Sequence, residues 1–137
     1  MNYIAQKDAM GCGVACVANR LGISYDKALA LFEYPKYAKT IGYKCKYIVQ
    51  ALQNAGIGTR LKHIRRDLPL PDLPVGTIVF LERSEAYPYQ HYLLKVKDGW
   101  CDPWINMHQD TDVKLAKAGV RSELPGRAYY AIGEFTA

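Results

Sequence analysis

Residues 6–22 read QKDAMGCGVACVANRLG, and the fold turns on how Gly11 to Leu21 is understood. Val14, Ala15, Val17, Ala18 and Leu21 recur at spacings of three and four, and Gly22 follows them, which is the pattern of a helix closed by a C-terminal glycine. Cys12 then falls in the first turn of that helix, between two glycines. A helix start favours a thiolate, because its unpaired amides and macrodipole stabilise negative charge. Glycines on both sides let a substrate backbone come close and let the chain turn sharply. Two other readings stand beside the nucleophile. Cys12 and Cys16, four apart on one helical face, also suit small buried core residues. They could begin a zinc site, although C-x3-C has no second Cys/His pair nearby.

Working outward, Ser24 can cap a second helix over Tyr25–Phe32, with Ala28, Leu29, Leu31 and Phe32 as its buried stripe and Pro35 closing it. Residues 34–39 read as a loop. A third helix is expected over Lys44–Asn54, with Tyr47, Ile48, Ala51 and Leu52 on one face and Gly56 at its end. Past Gly58 the period drops to two, so Thr59, Leu61 and His63 belong to a first strand, followed by the proline-punctuated LPLPDLP connection. Gly76–Arg83 and Tyr89–Val96 are rich in β-branched and aromatic residues, and Asp98-Gly99 is a hairpin signal that pairs Trp100–Trp104 back across the turn. A short helix over Asp112–Lys117 and a closing strand over Arg127–Phe135 complete the chain. The expected fold class is α+β, with N-terminal helices packed on a C-terminal antiparallel β-sheet in a single domain spanning residues 1–137.

The 137 residues are 50% apolar and 23% charged, which allows one hydrophobic core and excludes a disordered or fibrous chain. No run reaches the roughly 18 apolar residues of a membrane span, and no basic-then-apolar leader opens the chain, so a cytoplasmic location without a membrane span is expected. Cys12, Cys16, Cys45 and Cys101 read as thiols, with two disulfides as the alternative. The net charge of +5 is spread thinly except at Lys62, Arg65 and Arg66, short of the patch a nucleic-acid groove needs, so no specific nucleic-acid partner is expected.

A cysteine enzyme needs a base. His63 lies in a basic strand and His108 in a polar loop, whereas His91 lies in the apolar stretch Tyr-Gln-His-Tyr-Leu-Leu, whose hairpin partner ends Trp-Cys-Asp-Pro-Trp. A carboxylate on the adjacent strand can hold the second ring nitrogen of such a histidine. With the turn at Asp98-Gly99, His91 and Asp102 are neighbours without being directly opposite. The competing reading makes His91 an ordinary strand histidine and Asp102-Pro103 a turn opener.

Taken together, Gln6, the Cys12-Gly13-x-x-Cys16 block, His91-Tyr-Leu-Leu and Asp102-Pro103-Trp104 resemble the C39 family of papain-fold cysteine peptidases and its C39-like relatives, known for cutting double-glycine leaders from bacteriocin precursors. The resemblance covers nearly the whole chain and is most specific around Cys12. It implies a papain-like cysteine peptidase fold and cleavage of a peptide or isopeptide bond in a peptide or protein substrate, with no cofactor and no metal. Cys12 would be the nucleophile, His91 the base, Asp102 the group orienting the imidazole, and Gln6 a side-chain donor of the oxyanion hole beside a backbone N–H at or next to Cys12. Fixed donors of that kind are worth about 3 to 4 kcal/mol each. Gly11 stands where the processing peptidases usually carry Asp. With no transmembrane segment and no phosphate-binding loop, a free-standing version is implied. The same chemistry would serve a papain-fold toxin or effector, as a protease or by transglutaminase-like exchange, and the scaffold alone would serve a non-catalytic peptide-binding module. Of the 11 tyrosines, Tyr34, Tyr37, Tyr43, Tyr47, Tyr87, Tyr89 and Tyr92 either line a peptide cleft or fill the core and its rim.

Overall fold

A computed structural model describes residues 2–108 and 110–135. The first helix, α1 (Cys12–Leu21), ends at Gly22, whose left-handed backbone (φ 68°) is the conformation a glycine adopts without strain. Every residue from Cys12 to Ala18 is buried, so α1 is a core helix covered on all sides at its start rather than one with an apolar stripe. A Cβ on Gly13 would press into Ile48 of α3 (Cys45–Asn54) and approach the Tyr92 ring, so this glycine lets α1 sit tightly between α3 and the sheet. Asn19 fixes the N-terminal arm across α1: its Oδ1 accepts from the Ile4 N–H at 2.9 Å and its Nδ2 donates to the Ile4 carbonyl at 3.0 Å.

The second helix, α2 (Tyr25–Leu29), is capped as expected, the Ser24 hydroxyl accepting from the Lys27 N–H at 3.1 Å. It is shorter than the expected Tyr25–Phe32, because the Leu31 and Phe32 amides bond three residues back in a tightened turn. The 34–39 loop contains a 3₁₀ turn over Pro35–Ala38. Helix α3 carries Ile48, Ala51 and Leu52 inward.

Among the described residues six strands follow: β1 (Arg60–His63), β2 (Ile78–Leu81), β3 (Tyr92–Val96), β4 (Gly99–Asp102), β5 (Gly119–Arg121) and β6 (Ala128–Gly133). They form one sheet in the order β1-β6-β2-β3-β4-β5, with every pairing antiparallel. The closing strand is therefore interior, inserted between β1 and β2. The alternation that marks β1 does not reflect a buried face, since all four of its residues are exposed at the sheet edge. Ile78, Tyr92, Leu94, Val96, Cys101 and Ile132 pack against the helices. The opposite face is also buried: Val79, Leu81, Leu93, Trp100 and Ala131 lie under Ile64, Leu73 and Tyr87 from connecting segments. The expected 112–117 helix is only a 3₁₀ turn over Val113–Leu115. Among the described residues no helix is long and apolar enough to cross a membrane.

The register of the β3–β4 hairpin sets the position of Asp102. Val96 pairs with Gly99, so the two turn residues are Lys97 and Asp98, not Asp98 and Gly99. The pairing places Cys101 against Leu94, and its continuation brings Asp102 level with Leu93, two residues from His91. A turn at 98–99 would have left Asp102 level with Lys95. Gly99 takes a strand position with φ 149°, and a side chain there would collide with the backbone of Arg121 and Ser122 on β5.

Candidate active site

Cys12 is the first residue of α1, preceded by Gly11 with no side-chain cap and no acidic residue in the first turn. Gly11 is required by packing: a Cβ would overlap the Tyr25 hydroxyl, which donates to Asp8 Oδ2 at 2.8 Å. That accounts for glycine at the position before the cysteine. The carboxylate of this segment stands at Asp8, whose carbonyl accepts from the Gly11 N–H at 3.0 Å and shapes the entry into α1.

His91 immediately precedes β3, and its carbonyl accepts from the Leu81 N–H at 3.0 Å, which extends the ladder to His91 itself. Its Nε2 lies 3.0 Å from Asp102 Oδ1 at the end of β4. That bond fixes Nε2 as the donor and leaves Nδ1 for the sulfur. The Cys12 thiol donates to the carbonyl of Gln90, the residue before His91, at 3.6 Å, which sets the sulfur near enough to the imidazole to influence its charge. Burial works against an imidazolium here, yet the hydrogen bonds and charges of Asp102 and Cys12 outweigh it, and His91 is pushed up to about 9. Burial likewise works to raise Asp102, but hydrogen bonds from His91, the Trp104 N–H and Arg121, with the imidazolium charge, hold its carboxyl below the ordinary 3.8.

Gln6 is buried and its backbone N–H donates to the Pro103 carbonyl at 3.2 Å, tying the N-terminal arm to the segment that carries Asp102. Its side-chain Nε2 donates to the Asp8 and Ala9 carbonyls at 3.0 and 3.1 Å, while Oε1 is enclosed without a partner among the described residues. Both N–H groups are thus spent on the loop before Cys12. An oxyanion could recruit one of them only by displacing a neutral carbonyl, an exchange that favours the charged acceptor.

The other thiols differ in kind. Cys16 is fully enclosed one turn further along α1, and burial first, then neighbouring negative groups, pushes it well above its usual value. Burial also raises Cys45, and with the Asp102 charge lifts Cys101 to about 12. All four cysteines are free, and among the described residues no three His, Cys, Asp or Glu side chains gather as a metal site. His63 and His108 lie away from this cluster on exposed segments.

One residue of the site, Arg121, carries no local sequence signal, and another, Tyr87, stands out in the sequence only as one of the cleft-or-core tyrosines. Arg121 of β5 donates from Nε to Asp102 Oδ2 at 2.8 Å, and Tyr87, in the β2–β3 loop, stacks on the His91 ring at 4.3 Å between centroids and 9° between planes. The remaining tyrosines divide. Tyr43 and Tyr92 are core residues linked by a 2.6 Å bond from the Tyr92 hydroxyl to the Tyr43 carbonyl, Tyr34 and Tyr37 stack at the rim beside Tyr47, and Tyr89 is exposed. A hollow of about 700 Å³ opens between β1, β2 and β6, lined by His63, Arg66, Phe80 and Arg127 among others, but none of the four candidate residues borders it. The Cys12–His91–Asp102 cluster sits instead under cover, with Cys12 4% and His91 3% exposed. Comparison of the chain with protein-family models, with curated proteins and with solved structures finds no match.

Proposed function

We propose that this chain is a cysteine peptidase of the C39-like, papain-fold type, hydrolysing a peptide or isopeptide bond through a thioester. The observation that carries the reading is the clustering of helix-start thiol, imidazole and buried carboxylate: His91 meets Asp102 through Nε2 at 3.0 Å, and the Cys12 thiol lies 3.6 Å from the carbonyl of Gln90, the residue before His91. An imidazolium beside the sulfur is the partner a thiolate needs.

In the proposed reaction the Cys12 proton already rests on His91 Nδ1, as a thiolate–imidazolium pair, and the thiolate attacks the substrate carbonyl carbon. The carbonyl electron pair moves onto oxygen, where unpaired N–H groups at the start of α1, with Gln6 Nε2, stabilise it. Collapse breaks the C–N bond, and the amine leaves with the proton held by His91. Water then attacks the thioester, losing a proton to the same nitrogen, and the thiol is regenerated as the acid departs. The α+β architecture, with a nucleophile on a helix and a base on the sheet, supports a papain-like reading of the fold. Use of the same chemistry by a toxin or effector is separated from processing by the protein that is cut.

The test is site-mapped labelling with iodoacetamide at neutral pH, a reagent small enough for a covered thiol. Cys12 is modified ahead of Cys16, Cys45 and Cys101, and its rate falls by about 10²-fold in His91→Ala, the loss expected on removing a general base. Peptide hydrolysis disappears in Cys12→Ser and survives in Cys16→Ser. Equal labelling of all four thiols, unchanged in His91→Ala, refutes the reading.

A further inference from the structure

We propose that Tyr87 and Arg121 form one clamp that holds the His91 ring and the Asp102 carboxylate in register with Cys12 and ties that register to the β2–β3 loop. The inference rests on the thiol–imidazole reading of the site and adds two positioning residues to it.

Asp102 has no exposure, and its oxygens take three donors: Oδ1 accepts from His91 Nε2 at 3.0 Å and from the Trp104 N–H at 2.9 Å, and Oδ2 accepts from Arg121 Nε at 2.8 Å. Arg121 Nη2 continues to the Tyr87 hydroxyl at 3.2 Å and to the Ile105 carbonyl at 3.3 Å. The Tyr87 ring lies flat against the imidazole. The path His91, Asp102, Arg121, Tyr87 therefore closes on itself, and each member is oriented by two others. A single bond to Asp102 leaves the imidazole free to tilt about the Nε2–Oδ1 line, and the stacked ring removes that freedom. The guanidinium occupies Oδ2, so the carboxylate presents Oδ1 to the base.

The same loop grips the sulfur. Tyr87 is fixed within it by reciprocal bonds with Ser84, and three residues later the Gln90 carbonyl accepts the Cys12 thiol. Moving this loop releases the ring and the sulfur together. The charged and titratable groups facing the base are Cys12, Asp102 and Tyr87, with Arg121 and Cys101 beside the carboxylate. With Arg121 neutralised, His91 is the principal cation at Asp102 and holds its proton to higher pH.

The test uses the full chain, NMR titration of the His91 ring nitrogens and the iodoacetamide rate at Cys12, so it stands whether or not any peptide is cut. Arg121→Gln moves the His91 midpoint upward, and Arg121→Lys returns it toward wild type by restoring the charge. Tyr87→Phe keeps the stack but loses the hydroxyl and slows Cys12 alkylation by about two- to threefold, the scale of one hydrogen bond. Tyr87→Ala loses both and slows it by about tenfold. Tyr87→Phe conserves volume and carries the test if the other variants do not fold. A His91 midpoint unchanged or lowered in Arg121→Gln, or wild-type alkylation in Tyr87→Phe, overturns the clamp.

Discussion

His91 is buried, a setting that by itself favours the neutral imidazole, and yet it holds its proton to about 9. The balance is tipped by Asp102 and Cys12, so substitution of the carboxylate is the sharpest test at the scale of single residues. Asp102→Asn keeps the shape and the acceptor for the Trp104 N–H but withdraws the charge. Burial then dominates, and the His91 midpoint falls from about 9 toward or below the ordinary 6.5 in an NMR titration. Cys12 alkylation at neutral pH should drop by about tenfold or more, within the range assigned to positioned acid–base groups. In the wild type, any hydrolytic activity declines as pH rises through about 9, because His91 then has no proton for the leaving amine. Gln6 has a different character: with both side-chain N–H groups on Asp8 and Ala9, it fixes the loop before Cys12.

At the scale of elements the site is a junction of the start of α1, the start of β3 and the end of β4, with β5 bracing the last. Gly99 sets that brace. Its φ of 149° and the proximity of the Arg121 and Ser122 backbone mean that Gly99→Ala pushes β5 off β4. The cost is about 2 to 3 kcal/mol in urea unfolding, from strain together with overpacking. Cys12 alkylation slows as well, because Arg121 moves with its strand. Gly22→Ala is the contrast. That glycine has φ 68° but open space around it, so the substitution costs about 1 kcal/mol for the left-handed cap and leaves the alkylation rate at wild type.

For the whole molecule, the titrations define a pH window of stability. His91 is raised above 6.5, so its contribution is complete below 6.5 and is lost as pH climbs through about 9. Asp102 is held below 3.8, so its contribution is present above 3.8 and is lost as pH falls through its lowered value. Buried Cys16, Cys101, Tyr25 and Tyr92 are all raised by burial first, and the unfolded chain gains by ionising them near their ordinary 9 and 10. The melting temperature should therefore be highest between about 4 and 6.5, decline gently to 9 and steeply beyond. In Asp102→Asn the gentle decline disappears, and persistence of that slope in calorimetry would assign it to other groups.

Much of this architecture was legible in the chain. The three-and-four spacing of Val14 to Leu21, ended by Gly22, determined α1 and put Cys12 at its start, and the helices-then-strands order determined the α+β class. These are effects of neighbours within about four residues, which backbone periodicity reports directly. The hairpin between His91 and Asp102 was also legible, but not its register: a one-residue shift of the turn to Lys97–Asp98 brought the carboxylate two residues nearer His91. The insertion of β6 between β1 and β2, the burial of both sheet faces, and the meeting of Tyr87 and Arg121 around the His91–Asp102 pair were decided by tertiary structure alone. Arg121 stands 19 residues from Asp102 in a three-residue strand, too short for a periodic signal, and its role exists only once β4 and β5 pair.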